Sequence, residues 1–185
     1  MSSKLGVQNI AHTNGTNAMT IASDGVTAFT NAPSGIITTK TTQATTSGTA
    51  FNFTSIPSTV KRISVLFRGI SLSGSDGLII QLGTSGGLVT SGYASLSHWG
   101  GGGLSSTSGF IVDGVGNSNI MSGIMTIAHM GSNIYVASHS CKYNTSNGVF
   151  GGGDVSIGGT VDRLTITRSG SNTFDAGSVN IMYES

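Results

Sequence analysis

Five side chains come closest to a recognisable chemistry: Tyr93, His98, Trp99, Tyr143 and Phe150. They flank two glycine runs, Gly100 to Gly103 and Gly151 to Gly153. Flat aromatic faces suit the apolar side of a sugar ring, while nearby Ser, Asn and backbone groups take its hydroxyls with little charge needed. Binding residues also concentrate on loops held by a rigid scaffold. The pattern marks these five as candidate glycan contacts, although Trp99 has a competing reading as an ordinary core residue. The glycine runs themselves read as mobile or tightly turned loops. Neither ends in Gly-Lys-Ser/Thr or leads into a helix, so phosphate cradling is not their chemistry.

Hydrolytic chemistry has less to work with. Glycosidases pair two carboxylates, one an acid of raised pKa and one a charged nucleophile or base. The acidic residues are Asp24, Asp76, Asp113, Asp154, Asp162, Asp175 and Glu184. Asp24, Asp76 and Asp113 each precede Gly, and turn chemistry accounts for them. Asp162 falls inside a strand pattern beside Arg163. His129 and His139 lie near the ends of adjacent predicted strands, where they could meet across a hairpin. Zinc would want a third ligand at fixed spacing, and none is recognisable. In so Ser-rich a chain, a Ser-His-Asp triad assembled on paper carries no information. Cys141 is the single cysteine, so no internal disulfide staples the fold. Nothing beside it suggests a nucleophile. A non-enzyme without metal or cofactor is the expectation.

The elements that must position the aromatic residues are strands. Gly, Ser, Thr and Asn dominate the chain, and charged residues make up only 8% of it. The straight-chain residues that lose little rotamer entropy in helices are scarce. Val, Ile, Thr and aromatics separated by Gly and Asn are the residues of strands and turns. With a net charge of +1 and scattered basic residues, the chain lacks the dense cationic stripe that nucleic acid requires. No apolar run is long enough to span a bilayer as a helix. The N-terminus has no signal-peptide h-region, which predicts assembly in a cytoplasm.

Residues 1–46 differ from the remainder. Short apolar pieces alternate there with the tight-turn dipeptides Asn14-Gly15 and Asp24-Gly25. The stretch from Thr38 to Thr49 is almost all Thr, Ser, Gln, Ala and Gly, and reads as a linker or extended arm. Large apolar residues are too few for this segment to close a core alone. Residues 1–46 are therefore expected to be an attachment or oligomerisation arm, and residues 47–185 a globular head.

The head reads as roughly eight to ten strands at sandwich-like spacing, with jelly-roll topology the leading expectation. Candidates are Phe51–Phe53, Lys61–Leu72, Leu78–Leu82, Leu88–Trp99, Phe110–Val112 and Ile120–Met130, then Ile134–Tyr143, Val155–Ile157, Val161–Arg168 and Val179–Tyr183. In the second, Ile63, Val65 and Phe67 alternate with Arg62, Ser64, Leu66 and Arg68, the period of a half-buried strand. Phe51, Phe53, Ile63, Val65, Phe67, Leu78, Ile80, Leu82, Ile166, Ile181 and Tyr183 form the predicted core.

Several ordered stretches resemble a known group. Leu5-Gly6-Val7-Gln8-Asn9-Ile10-Ala11-His12-Thr13-Asn14-Gly15-Thr16-Asn17-Ala18-Met19-Thr20-Ile21 resembles the N-terminal attachment segment of bacteriophage virion and fibre-like proteins, especially those of marine and cyanobacterial phages. Gly48-Thr49-Ala50-Phe51-Asn52-Phe53-Thr54-Ser55-Ile56-Pro57, followed by Lys61-Arg62-Ile63-Ser64-Val65-Leu66-Phe67, looks like a domain of phage tail proteins. Gln81 to Gly87, Gly92-Tyr93 and Phe174 to Ile181 continue it. The resemblance implies a non-catalytic virion protein, often a homotrimer, whose arm holds other virion proteins. It implies a tail fibre or receptor-binding module contacting host surface glycans. The alternative is a capsid decoration or minor head protein. Nucleic acid and membrane insertion are not among the implied partners.

Overall fold

Chain segments that alternate apolar and polar residues, broken by Gly, Asn and Asp, pair as antiparallel strands. The computed structural model describes residues 9–11, 17–29, 36–114, 116 and 119–185, and strands account for all of its regular structure. It divides into two units, residues 1–36 and 37–184.

In the first unit, β1 (Asn9–Ala11), β2 (Asn17–Ile21) and β3 (Thr27–Phe29) form an antiparallel three-stranded sheet in that order. The expected turn at Asp24-Gly25 is present. Gly25 takes a φ of 84°, its N–H donates to the Ala22 carbonyl, and the Val26 N–H donates to the Asp24 carboxylate. Asn14-Gly15 lies outside the described residues.

The second unit begins earlier than residue 47. Within and just before the stretch read as a linker or extended arm, the chain makes β4 (Ile37–Thr39) and β5 (Gln43–Ala44), both paired with β17 (Phe174–Glu184). Thr45 is wholly buried, donating its N–H to the Gly177 carbonyl and its hydroxyl to the Ala176 carbonyl. This segment is held by hydrogen bonds of backbone and short polar groups. It therefore carries no apolar periodicity to read.

The remaining strands are β6 (Phe51–Phe53), β7 (Arg62–Leu72), β8 (Leu78–Thr84), β9 (Gly87–Leu88), β10 (Ala94–Trp99), β11 (Gly102–Ser106), β12 (Phe110–Val112), β13 (Met121–Gly131), β14 (Ile134–Tyr143), β15 (Asn147–Ser156) and β16 (Arg163–Arg168). A nine-stranded sheet runs β11-β10-β15-β14-β13-β7-β17-β4, with β5 also on β17. A five-stranded sheet runs β12-β8-β16-β6, with β9 on β8. Their inner faces share one core, so the unit is a two-sheet β-sandwich. The pairing is nested: β7 with β17, β8 with β16 and β10 with β15 enclose the β13–β14 hairpin. These strand orders do not establish the jelly-roll topology.

The predicted core residues lie in the shared interior, with Phe51 half-buried at its margin. Phe51 meets Phe174 edge to face, ring centroids 4.9 Å apart. Each fully enclosed Leu, Ile or Phe contributes roughly 1.5–3 kcal/mol by leaving water.

The second glycine run is a strand, not a loop. Gly151 to Gly153 occupy the middle of β15, between β10 and β14. A Cβ on Gly151 would press into the Leu96 carbonyl and stand 2.6 Å from His139 Cε1. The absent side chain lets His139 lie across the strand. Gly151→Ala should therefore cost about 1–3 kcal/mol by overpacking. Urea unfolding would measure this, and hydrogen exchange should show Ser97–Trp99 opening first. Wild-type stability in the variant would contradict the close approach.

Candidate functional site

Strand register decides where each candidate aromatic residue points. His98 pairs with Phe150 and Trp99 with Val149 across β10 and β15. Successive residues face opposite sides of a sheet, so one position separates an outward from an inward side chain. His98 and Phe150 face solvent, with centroids 5.8 Å apart and rings tilted by 35°. Trp99 turns inward, half-buried, and meets buried Tyr143 edge to face at 5.9 Å. The Gly101 backbone passes so close to the indole that any side chain there would collide with it.

Tyr93 is turned into the core. It is 2% exposed, packs edge to face on Phe110 at 5.0 Å, and accepts the Leu82 N–H on its hydroxyl at 2.8 Å. Burial pushes its pKa up to about 12, against the lowering effect of that hydrogen bond. The five candidates thus divide into an exposed pair on a sheet face and a buried or half-buried set beneath it. They do not converge on one loop surface, because three of them serve the core.

Two serines carry a role that their sequence context does not announce. Ser95 and Ser97 lie on the inward side of β10, and each accepts a backbone N–H from the β12 segment. Ile111 donates to Ser95 Oγ at 3.0 Å and Asp113 to Ser97 Oγ at 2.9 Å. They satisfy an edge of β12 that has no strand ladder there, and so tie the two sheets together. Their signal is the alternation Ser95, Ser97 against Leu96, His98, which the abundance of Ser obscures.

Ser97 also lies 2.9 Å from His139 Nε2. Because Ser97 Oγ accepts from Asp113, its own proton is free to donate to a neutral imidazole. His139 Nδ1 is buried with no hydrogen-bond partner among the described residues. Burial penalises the charged ring and drives its pKa down to about 4. Ser97 is wholly enclosed, so this pair belongs to the core.

The histidines expected near one another are separate. His129 pairs in register with Tyr135 and stacks on it at 4.9 Å, whereas His139 pairs with Met125. No group of three or more His, Cys, Asp or Glu side chains is placed to hold a metal among the described residues. Cys141 is buried, and burial raises its thiol pKa to about 12, far from the thiolate a nucleophile needs. Most of the carboxylates are engaged locally. Asp76 accepts the Asn172 N–H, Asp113 the Gly114 N–H, Asp175 the Ser71 hydroxyl, and Asp162 pairs with Arg163.

What remains exposed is the outer face of the large sheet. One row crosses it from His98 through Phe150, Ser140, Ile124 and Leu66 to Asn180. The next row runs from Leu96 through Gly152, Ser138, Thr126 and Ser64 to Met182. Neither row contains Asp, Glu, Lys or Arg. Phe150 is 61% exposed and Leu96 54%, with Ile124 and Val136 also open to solvent. The charges flank these rows along the strands. Lys142 and Arg68 stand toward the Trp99 end, and Asp154 with the Arg62–Glu184 ion pair toward the opposite end, where Ile37 starts the unit.

The described residues define a two-sheet β-sandwich with one broad, weakly charged sheet surface. No protein-family model, curated protein or solved structure matches the chain. No helix among the described residues is long and apolar enough to cross a membrane.

Proposed function

We propose that the chain is a non-enzymatic structural protein of a bacteriophage virion, of the capsid decoration or minor head type, which docks through the outer face of its nine-stranded sheet. One observation carries the choice. Three of the five side chains best suited to a glycan are turned into the core, while the outer face of the large sheet exposes Leu96, Phe150, Ile124 and Val136 among mostly uncharged polar residues. Exposed apolar side chains grouped on one sheet face in this way are a mark of contact with another protein.

Counting copies in purified particles, by quantitative mass spectrometry with antibody labelling to locate them, tests the role. The expected result is a copy number on the scale of the capsomers, with label over the head. A few copies at the tail tip would favour the receptor-binding reading instead, which keeps one structural support in the exposed His98–Phe150 pair. In that case Phe150→Ala should abolish adsorption while Trp99→Phe leaves it intact. Absence from the particle would overturn both.

A further inference from the structure

The outer face of the nine-stranded sheet is complementary to itself. Cations stand at one end of its strands, with Lys142 on β14 and Arg68 on β7, and the exposed acid Asp154 stands at the other on β15. The two rows between them are uncharged, and they are not alike. The row containing Phe150 projects a large ring from β15, whereas the neighbouring row has Gly152 on the same strand. We propose that this face binds a second copy of the same chain, sheet against sheet, about a two-fold axis that crosses the strands midway between those two rows.

Such an axis keeps each strand over its own counterpart and exchanges the two rows. Phe150 of one copy then fits over Gly152 of the other, where no side chain projects, and the reciprocal contact forms by symmetry. Ile124 meets Thr126 and Leu66 meets Ser64 in the same exchange. The ends exchange too. Lys142 of each copy comes over the Asp154 end of its partner, one strand to the side, within side-chain reach across sheets packed about 10 Å apart.

Size agrees with this occupant. Eight strands at ~4.8 Å spacing, over six residues of ~3.3 Å, give a face on the order of 700 Å². A stable interface buries about 800 Å² on each partner. Twisted sheets pack at about −30° to one another, so residues near the middle strands keep register while those at the flanks drift apart. Lys142 and Asp154 lie on β14 and β15 near the middle and carry the opposite-charge pairing between copies. On β7 the same axis sets Arg68 over its counterpart's Arg62, whose charge is already paired with Glu184.

This pairing rests on the assembly role proposed for the face and names its partner. Its test uses charge reversal in the full chain, with mass read by sedimentation velocity. The wild type should form an even-numbered assembly. Lys142→Glu and Asp154→Lys, each at an exposed site, should each halve that mass and raise the dissociation constant about tenfold or more, because like charges then oppose one another twice per pair. The double variant Lys142→Glu/Asp154→Lys should restore the wild-type mass, an outcome that general damage to folding would not produce. An odd-numbered or monomeric wild type, a mass unmoved by either reversal, or a double variant as dissociated as the singles overturns the proposal. Absence from phage particles would remove the virion role and leave this pairing standing, so the two failures are distinguishable.

Discussion

Phe110→Ala is expected to lower the unfolding free energy by about 3–5 kcal/mol, the usual cost of emptying an enclosed aromatic site. Phe110 is 1% exposed and ranks among the largest wholly buried side chains. It lies on β12, whose ladder partner is β8 on one side, so the neighbouring backbone is anchored there and cannot simply collapse into the space. Its ring also supports Tyr93, which meets it at 88° and holds the Leu82 N–H. Removal therefore leaves a cavity and loosens a buried hydrogen bond together. Equilibrium urea unfolding gives the value, provided the slope with denaturant is unchanged. Tyr93→Phe is the control: it retains the ring but leaves the buried Leu82 N–H without its acceptor, and should cost about 1–3 kcal/mol. A Phe110→Ala loss under about 1 kcal/mol would show that β12 is not held between β8 and the serines of β10 as described.

Acid should destabilise the sandwich through His139. Its pKa falls from the ordinary 6.5 to about 4 in the folded chain because burial penalises the charged ring. Between these values the unfolded chain binds a proton that the folded chain refuses, so stability rises with pH across that window. The contribution is complete above about pH 6.5 and is lost as the pH falls toward about 4. It totals on the order of 3 kcal/mol, because each tenfold difference in proton affinity between the two states is worth about 1.4 kcal/mol. His139→Gln retains a donor and an acceptor but does not titrate. The variant should be less stable than wild type at neutral pH, yet lose much less stability between pH 7 and pH 4.5. Parallel curves for the two proteins would mean that the ring is already charged, or already solvated, in the native state.

Both effects depend on features that differ in how far they could be read from the amino acids. The inward residues of β7 and β8 were legible because burying one sheet face imposes a period of two, and Ile63, Val65 and Phe67 keep it without interruption. Turn chemistry at Asp24-Gly25 was legible for a similar local reason, since the dipeptide itself tolerates the required backbone angles. The all-β class follows from composition and from these local rules alone.

Other parts depend on partners remote in sequence. Leu88–Trp99 reads as one strand but breaks into β9 and β10, because the intervening chain brings Tyr93 down onto Leu82 and Phe110. The stretch from Thr38 to Thr49 reads as a linker or extended arm until β17 supplies hydrogen bonds to its first half. The glycines of β15 resemble a loop until His139 and the β10 carbonyls occupy the space that their side chains would need. In each case the stabilising group lies far along the chain, and nothing local announces it.

The aromatic residues mark the division most clearly. Their identities and their nearness to glycine are properties of the amino-acid order, and so is the strand pattern that carries them. Which of them meets solvent is set by register between β10, β15 and β14, where a shift of one residue would exchange His98 with Trp99. That register is held by the core and by Ser95 and Ser97 reaching across to β12. Composition and periodicity determine that the chain forms strands with one face buried. Only the packing of two sheets decides which surface is left for a partner, because that choice is the sum of contacts between segments that the linear order keeps apart.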